Sequence, residues 1–204
     1  MARDELRTRE GRWSVAVPTS AEWLEVVRAD IDTFLLDHAA CERKASAAAM
    51  TLASHYRDRE KLVSAMVDLA CEELGHFRRV YERIVARGGR LGPDSKDQYV
   101  GRMAQLVRRG PDEYLLDRLL VAGAVEARGA ERFRILADGF LHGVSTDLHD
   151  FYADFARSEE RHAELFIGLA KVYFAPEVVD ARAVEIFRAE AELIASLPLR
   201  PALH

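Results

Sequence analysis

Apolar residues recur along most of the chain at intervals of three and four positions, the spacing that gives an α-helix one buried face. Glycine and proline are sparse, 12 and 6 of 204 residues, and their clusters divide this pattern into long segments. No segment shows the alternation of apolar and polar residues that predicts a β-strand. The pattern therefore predicts an all-α fold of four long helices, with a longer crossover between the second and the third and additional shorter helices.

Capping and stop signals set the predicted limits of these helices. Thr19-Ser20-Ala21-Glu22 is a capping-box pattern, and it predicts that the first helix begins near Ser20, after an irregular, arginine-rich segment over 1–18. In chain order, the predicted helices cover about 20–56, 58–88, 99–109, 111–138, 145–174 and 177–196. We expect residues 1–204 to form a single domain, with a core over about 20–175 and a C-terminal helix at about 177–196.

Charge and cysteine content exclude several classes of protein. The chain has 34 acidic and 29 basic residues, a formal charge of -5, which argues against a general nucleic-acid coat but not against a local basic patch. Cys41 and Cys71 form neither a CxxC pair nor a disulfide framework, which excludes zinc ribbons and thioredoxin-like motifs. The N-terminus has no apolar signal segment and no apolar run is long enough to span a membrane, so we expect a cytoplasmic protein without a membrane partner.

Each of the four long helices carries a glutamate on the face that is predicted to be buried. An inward carboxylate costs folding free energy unless it is paired or binds a cation. Two of these glutamates have a histidine three residues later, and at that spacing both side chains leave the same side of the helix. The order along the chain is Glu, Glu-x-x-His, Glu, Glu-x-x-His, with similar spacing in both halves: Glu42, Glu73, His76, Glu126, Glu159 and His162.

This order is the arrangement that a carboxylate-bridged two-metal site in a four-helix bundle requires. Four carboxylates and two imidazoles without a thiolate suit two iron ions, with manganese as the alternative, and disfavour a structural zinc. Taken singly, Glu42 has a second interpretation as a surface residue, and each histidine has one as a hydrogen-bonded core residue. The repetition of the whole set favours the metal site.

Three further residues are candidates for contacts that hold these ligands in place. Glu72 is either solvated or placed to accept the free N–H of the histidine on the opposite long helix. His38 lies one turn before Glu42 on the same face, as a core histidine or as a partner of the ligands. Arg161 either turns inward or forms a surface ion pair with a neighbouring glutamate. Small residues around Glu126, including Gly123, predict either close helix packing or a pocket for substrate.

With these residues in place, the chain resembles the ferritin-like di-iron carboxylate proteins. Among them it is most similar to the tRNA 2-methylthio-N6-isopentenyladenosine hydroxylase family. The resemblance covers about 20–175. The matching stretches are LLDHAACERKA at 35–45, EELGHF at 72–77, LLVAGAVEAR at 119–128 and SEERH at 158–162.

The resemblance implies a ferritin-like four-helix bundle in which the six glutamates and histidines are iron ligands. It implies a monooxygenase that uses O2 to hydroxylate the isopentenyl side chain of the modified adenosine in tRNA. One oxygen atom enters the product and the other leaves as water, so two external electrons are needed. The chain has no flavin or nicotinamide fingerprint and no Fe–S cysteine set, which implies a separate electron-donor reductase.

A tRNA substrate requires contacts to phosphate groups. Arginines crowd the end of the second long helix and are candidates for these contacts, although a solvated helix end explains them as well: Arg79, Arg83, Arg87 and Arg90. The alternative functions are a ferritin-like ferroxidase or iron-storage subunit, a manganese catalase-like enzyme, and a metal-free helical interaction protein. The specific stretch around Glu42 and the crossover over 88–111 favour the hydroxylase.

Overall fold

The structure, a computed structural model, describes residues 6, 8, 11–94, 97–141 and 146–204, apart from the side chains of 140, 141 and 146. Within these ranges the chain is all-α, as predicted, and forms no β-strand. The α-helices in chain order are α1 (Ala21–Ala29), α2 (Ile31–His55), α3 (Glu60–Ala86), α4 (Gln98–Met103), α5 (Pro111–Leu141), α6 (Thr146–Tyr173) and α7 (Pro176–Ala195). None of them is long and apolar enough to cross a membrane.

The segment predicted as the first long helix consists of two helices, because the chain breaks at Asp30. The Asp30 carboxylate accepts a hydrogen bond from the Thr33 backbone N–H at 3.1 Å. This is an N-cap interaction, and it starts α2 at Ile31, so that Asp30 alone separates α2 from α1. The capping-box prediction for the start of α1 is confirmed, but the prediction of one continuous helix from Ser20 was wrong.

The crossover helix is shorter than the predicted 99–109. After α4, residues Ala104–Leu106 form one 3-10 turn, and the chain then leaves the helical path. The Arg108 backbone N–H donates to the Asp117 carboxylate at 2.9 Å instead of to a preceding carbonyl. Gly88, with φ of 80°, follows α3 in the left-handed conformation that favours glycine, as the predicted stop requires. Ser145, the predicted start of the fourth long helix, lies outside the described residues.

The chain divides into two compact units. The first, here called the α5–α6 unit, comprises the described residues of Met1–Leu24 and Asp97–Leu199, together with His204. The second, the α2–α3 unit, comprises the described residues of Glu25–Lys96 and Arg200–Leu203. The assignment of 1–204 to a single domain stays a prediction.

In the α2–α3 unit, the two long helices pack along the faces that the sequence pattern predicted. Phe34, Leu35 and Leu52 are buried on α2, and Leu62, Met66, Leu69, Val80 and Ile84 are buried on α3. The Ser46 hydroxyl donates to the Ala70 carbonyl at 2.8 Å and links the helices near their middle. This packing sets the rotation of both helices, and with it the direction of Glu42 and Glu73.

In the α5–α6 unit, α5 packs along α6, and both contact α7. An aromatic cluster fills one end of this pair, where Phe133 of α5 stacks on Tyr152 of α6 with ring centroids 5.8 Å apart and contacts Phe155 at 5.4 Å. Tyr152 and Phe155 precede Glu159 on the same face of α6. The cluster therefore keeps water from this side of Glu159.

Arg128 anchors α5 to α7 from the interior of the same unit. Its guanidinium is fully buried and donates to both carboxylate oxygens of Glu190, at 2.8 and 2.9 Å. It also donates to the Val17 carbonyl at 2.9 Å and to the Thr19 hydroxyl at 3.1 Å. Such a bidentate buried pair has strong directional preference. Because Arg128 lies two residues after Glu126, the pair also fixes the rotation of α5 at Glu126.

A second buried carboxylate, that of Asp117, joins α5 to the crossover and to α7. It accepts hydrogen bonds from Arg108, at 2.8 and 2.9 Å, and from Arg182, at 2.9 Å. Burial alone would raise the pKa of Asp117, but the hydrogen bonds from both arginines outweigh it and hold the pKa at about 2, below the ordinary value of 3.8.

We predict that Asp117→Asn lowers the free energy of unfolding by about 3 kcal/mol at neutral pH, as expected when one partner of a buried ion pair is removed. The unfolded chain binds the Asp117 proton more tightly than the native state. The stabilisation is therefore complete above pH 3.8 and is lost as the pH falls through about 2. Urea unfolding at a series of pH values measures this: the difference from wild type should shrink between about pH 4 and about pH 2.

The matched control is Asp154→Asn, since Asp154 forms an exposed pair with Arg157 at 3.3 Å. It should follow wild type across the same pH range. A difference between Asp117→Asn and wild type that stays constant down to about pH 2 would contradict the assignment of the acid dependence to this carboxylate.

Candidate metal centre

The α2–α3 unit brings together three of the predicted ligands. Glu42 comes from α2, and Glu73 and His76 come from α3, and all three side chains are buried. The Nδ1 atom of His76 lies 3.4 Å from the Oε2 atom of Glu42 and 3.3 Å from the Oε2 atom of Glu73. One ligand atom from each residue lies within 4.8 Å of the other two. We call this group the first trio.

The α5–α6 unit contains a second trio of the same composition. Glu126 comes from α5, and Glu159 and His162 come from α6. The Nδ1 atom of His162 lies 3.3 Å from the Oε2 atom of Glu159, as in the first trio, and one ligand atom from each residue again lies within 4.8 Å of the others. Glu159 and His162 are buried, whereas Glu126 is half-buried.

Close packing of α5 on α6 brings Glu126 near the other two residues of its trio. A Cβ atom at Gly123, one turn before Glu126, would lie 3.2 Å from Cγ1 of Ile167 and 3.3 Å from the carbonyl oxygen of Ala163. Of the two predictions for the small residues around Glu126, close helix packing is therefore the one that Gly123 confirms.

The donor set of both trios fits a metal ion. In each trio two carboxylates lie close to one another and to a histidine, in a site that is largely removed from water, where two neighbouring negative charges repel each other. A divalent cation relieves this repulsion, and carboxylate oxygen with imidazole nitrogen is a ligand set that iron and manganese accept. The residues present therefore suit a metal of this type.

His38 contacts the first trio, as one of its two interpretations predicts. Its side chain is fully buried, and its Nε2 atom lies 2.7 Å from the Oε1 atom of Glu42, one helical turn away. The Phe34 ring packs against the His38 ring, with centroids 5.9 Å apart. This hydrogen bond leaves the Oε2 atom of Glu42 on the side of His76 and fixes the orientation of the carboxylate.

The other two candidates for ligand contacts lie at the surface. The Glu72 side chain is 40% exposed, and its Oε1 atom is 3.9 Å from Nε2 of His76, on its own helix rather than on the opposite one. Arg161 is exposed and donates to the hydroxyl of Ser158, the residue before Glu159, at 2.9 Å.

The four arginines predicted to contact RNA all lie in the α2–α3 unit. Arg79 and Arg83 are half-buried, whereas Arg87 and Arg90 are exposed. Arg87 donates to the carboxylate of Asp32, at the start of α2, at 2.5 Å. The end of α3 thus carries a basic surface beside the beginning of α2.

Sequence reasoning missed the buried ionic residues that position α5. Arg128 and Glu190 are 62 residues apart in sequence, and Arg182 and Asp117 are 65 residues apart. Neither pair forms a motif. The only available signal was that Arg128 and Glu190 lie on otherwise apolar helix faces, where an unpaired charge would be costly.

Comparison with known proteins places the chain in a class and then in a family. A solved structure, protein 43 with aldehyde deformylating oxygenase activity from Synechococcus, is similar with a TM-score of 0.87 and 36% identity, over 93% of this chain and 94% of that one. The helices and the trios thus define a protein of the ferritin-like class, which confirms the predicted fold class. A family model described as tRNA-(ms2io6A)-hydroxylase (MiaE) matches residues 10–204, and the chain belongs to this family.

Two relatives carry the same family name. The tRNA 2-(methylsulfanyl)-N(6)-isopentenyladenosine(37) hydroxylase of Pseudomonas putida is 38% identical over 180 residues, 88% of this chain and 85% of that protein. The hydroxylase of the same name from Salmonella typhimurium is 35% identical over 136 residues, 67% of this chain and 48% of that protein, so the match spans about half of its length. The predictions of the family and of an enzyme of the hydroxylase class are confirmed.

Two glycines next to the trios should respond oppositely to alanine. A Cβ at Gly75, between Glu73 and His76 on the outer face of α3, would meet no atom within 4 Å. We predict that Gly75→Ala raises the free energy of unfolding by about 0.5–1 kcal/mol through helix propensity. Gly123→Ala should leave the free energy of unfolding unchanged or lower it. The added Cβ would press on the Ala163 carbonyl oxygen, which belongs to the α6 backbone and cannot easily move away. Thermal unfolding of both variants measures this, and equal stabilisation at both sites would contradict the packing described for Gly123.

Proposed function

We propose that this chain hydroxylates the isopentenyl side chain of 2-methylthio-N6-isopentenyladenosine in tRNA, using O2 and two external electrons. The observation that carries the proposal is the repeated trio of two glutamates and one histidine, grouped in each unit of a chain that belongs to a tRNA hydroxylase family. The names of the relatives favour this reaction over the ferroxidase and catalase alternatives.

The proposed cofactor is a pair of iron ions held by the six residues of both trios. Four glutamates supply four negative charges, which two divalent ions neutralise, and two imidazoles complete a ligand set without thiolate. When bound, such an iron pair supplies the chemistry of dioxygen reduction. Manganese is the alternative metal for the same donors.

The protein's own residues hold and shield this site. The His38 hydrogen bond at 2.7 Å restrains one oxygen of Glu42, so that the other oxygen is presented to the metal in a fixed direction. The aromatic cluster of Phe133, Tyr152 and Phe155 excludes water beside Glu159. We therefore assign these residues positioning and shielding roles.

Access for the substrate is proposed along α5. Glu126 is the half-buried member of its trio, and Ala122 and Val125, in the turn before it, are half-buried as well. The isopentenyl side chain would approach at this point.

The remaining partners follow from the reaction. Hydroxylation incorporates one oxygen atom of O2 and releases the other as water, which consumes two electrons and two protons. A separate reductase supplies the electrons in this proposal. The tRNA substrate also implies a cytoplasmic location, and the basic surface of Arg79, Arg83, Arg87 and Arg90 is proposed to contact its phosphates.

We predict that the iron-supplied protein binds about two iron ions per chain and that Glu42→Ala and His162→Ala each bind clearly fewer, since each removes a ligand from one trio. Metal analysis of the purified proteins measures this. Glu82→Ala is the control, because Glu82 is an exposed glutamate of α3 that pairs with Arg78. Iron contents of both ligand variants equal to that of Glu82→Ala would refute the metal assignment.

The substrate is tested by nucleoside analysis of tRNA from cells that lack this protein and then regain it. We expect the hydroxylated isopentenyladenosine to disappear and to return with wild type but not with Glu42→Ala. If the hydroxylated nucleoside is unchanged in cells without the protein, the proposed substrate is wrong, while the metal site is tested separately by the iron content.

A further inference from the structure

The α2–α3 unit contains a cavity of about 330 Å³ outside the first trio. It lies between the first half of α2, the middle of α3, the segment 91–94 that follows α3, and residues 200–202. Its wall is mixed: Leu36, Phe77 and Leu91 supply apolar surface, and Arg43 and Arg200 supply guanidinium groups. A volume of this size is at the lower end of the range for small-molecule sites, about 300–1,000 Å³.

This cavity does not open onto the metal ligands. Ala40 and Arg43, which line it, lie about 160° and about 100° around the axis of α2 from Glu42. Phe77 is similarly displaced from His76 on α3 by about 100°. A molecule bound here is therefore separated from the Glu42 carboxylate by the body of the helix, and the cavity is not the place of hydroxylation.

The charges around the cavity favour an anion. Its two carboxylates have partners: Asp94 accepts from Arg43 at 2.5 Å, and Asp37 accepts from the Leu203 backbone N–H at 2.8 Å. The guanidinium of Arg200 forms no hydrogen bond or ion pair with the part of the chain that the structure describes. The same is true of Arg90, next to Leu91 in sequence. The cations at or beside this wall, Arg43, Lys44, Arg90 and Arg200, therefore outnumber its two carboxylates.

The corresponding groove of the α5–α6 unit is lined in part by the amino-terminal segment of the protein itself. There, Ala127 and Ala163, which follow Glu126 and His162, line a cavity of about 300 Å³ together with Thr8 and segment 12–15. That segment is fastened by an ion pair from Arg12 to Glu160 at 2.5 Å and by the Trp13 backbone N–H to Glu164 at 2.8 Å. At the matching positions after Glu42 and His76, the α2–α3 unit has Arg43 and Phe77, residue types that bind phosphate and stack on bases.

We propose that the cavity of the α2–α3 unit binds one unpaired nucleotide of the tRNA, other than the adenosine that is hydroxylated. The phosphate contacts Arg200, and the base packs on Phe77. RNA-binding proteins typically read single-stranded loops this way, by stacking splayed bases on aromatic rings and by pairing arginine with phosphate. The inference rests on the proposed tRNA substrate, and it adds a second point of contact that holds the anticodon loop while the modified adenosine reacts elsewhere.

The phosphate contact is tested with Arg200→Ala and its matched control Lys61→Ala, which removes one positive charge from the opposite end of α3. The probe is a synthetic anticodon stem-loop RNA, and its affinity for the iron-loaded protein is measured over a range of salt concentrations. Arg200→Ala should weaken binding several-fold and reduce the slope of log affinity against log salt by about 0.7, the loss of one phosphate contact on a single strand. Lys61→Ala should keep the wild-type slope.

The base contact is tested with Phe77→Ala and Phe77→Tyr. Loss of stacking in Phe77→Ala should lower affinity for the stem-loop by about fivefold or more, and Phe77→Tyr should retain affinity because the ring is kept. Iron content and melting temperature show whether each variant is folded. If Phe77→Ala does not fold, Arg200→Ala alone decides, because its side chain supports no contact that the fold needs.

The proposal is overturned if the Arg200→Ala variant binds the stem-loop with the same affinity and salt slope as the Lys61→Ala variant. It is also overturned if the wild-type protein does not bind the stem-loop. Either outcome is expected if the cavity binds a peptide or a second copy of the chain instead of RNA. A failure of the proposed function gives a different pattern. In that case stem-loop binding still depends on Arg200 and Phe77, but the nucleoside analysis shows no change in hydroxylation.

Discussion

A charge that is removed from water has to be met inside the protein, and the architecture of this chain depends on how each buried charge is met. Arg128 meets Glu190, and Asp117 meets Arg108 and Arg182, so these groups are neutralised by the chain itself. The trios differ because each joins two carboxylates to a histidine, a donor set that suits a metal ion. The internal ion pairs fix where the helices lie, and the trios indicate where a metal ion is proposed to bind.

The fold class and the six candidate ligands followed from the sequence because both depend on local periodicity. Gly88, Pro111 and Pro176 mark helix ends by their own backbone preferences, and the observed limits of α3, α5 and α7 lie at those signals. The Glu-x-x-His spacing places both side chains on one helix face whatever the rest of the chain does. The grouping of each trio required only that neighbouring long helices pack along their apolar faces.

The errors have physical causes that periodicity does not contain. The break at Asp30 depends on a side-chain hydrogen bond to Thr33 that replaces one turn of helix, and the early end of the crossover helix depends on Asp117. The rotation of α5 at Glu126 depends on Glu190, 62 residues after Arg128. The half-exposure of Glu126 and the cavity beside Phe77 also depend on segments distant in sequence. Such features follow from tertiary contacts.

The division of ligands between the units has a consequence for how the protein is made. Each trio is drawn from two consecutive long helices, α2 with α3 and α5 with α6. Contacts between segments close in sequence form faster than distant ones, because less chain entropy is lost in closing the loop between them. Each helical hairpin can therefore assemble its own two glutamates and histidine early, and in the order in which the ribosome releases them. The residues of the amino-terminal trio leave the ribosome first, so this trio can form before the carboxyl-terminal one has been synthesised.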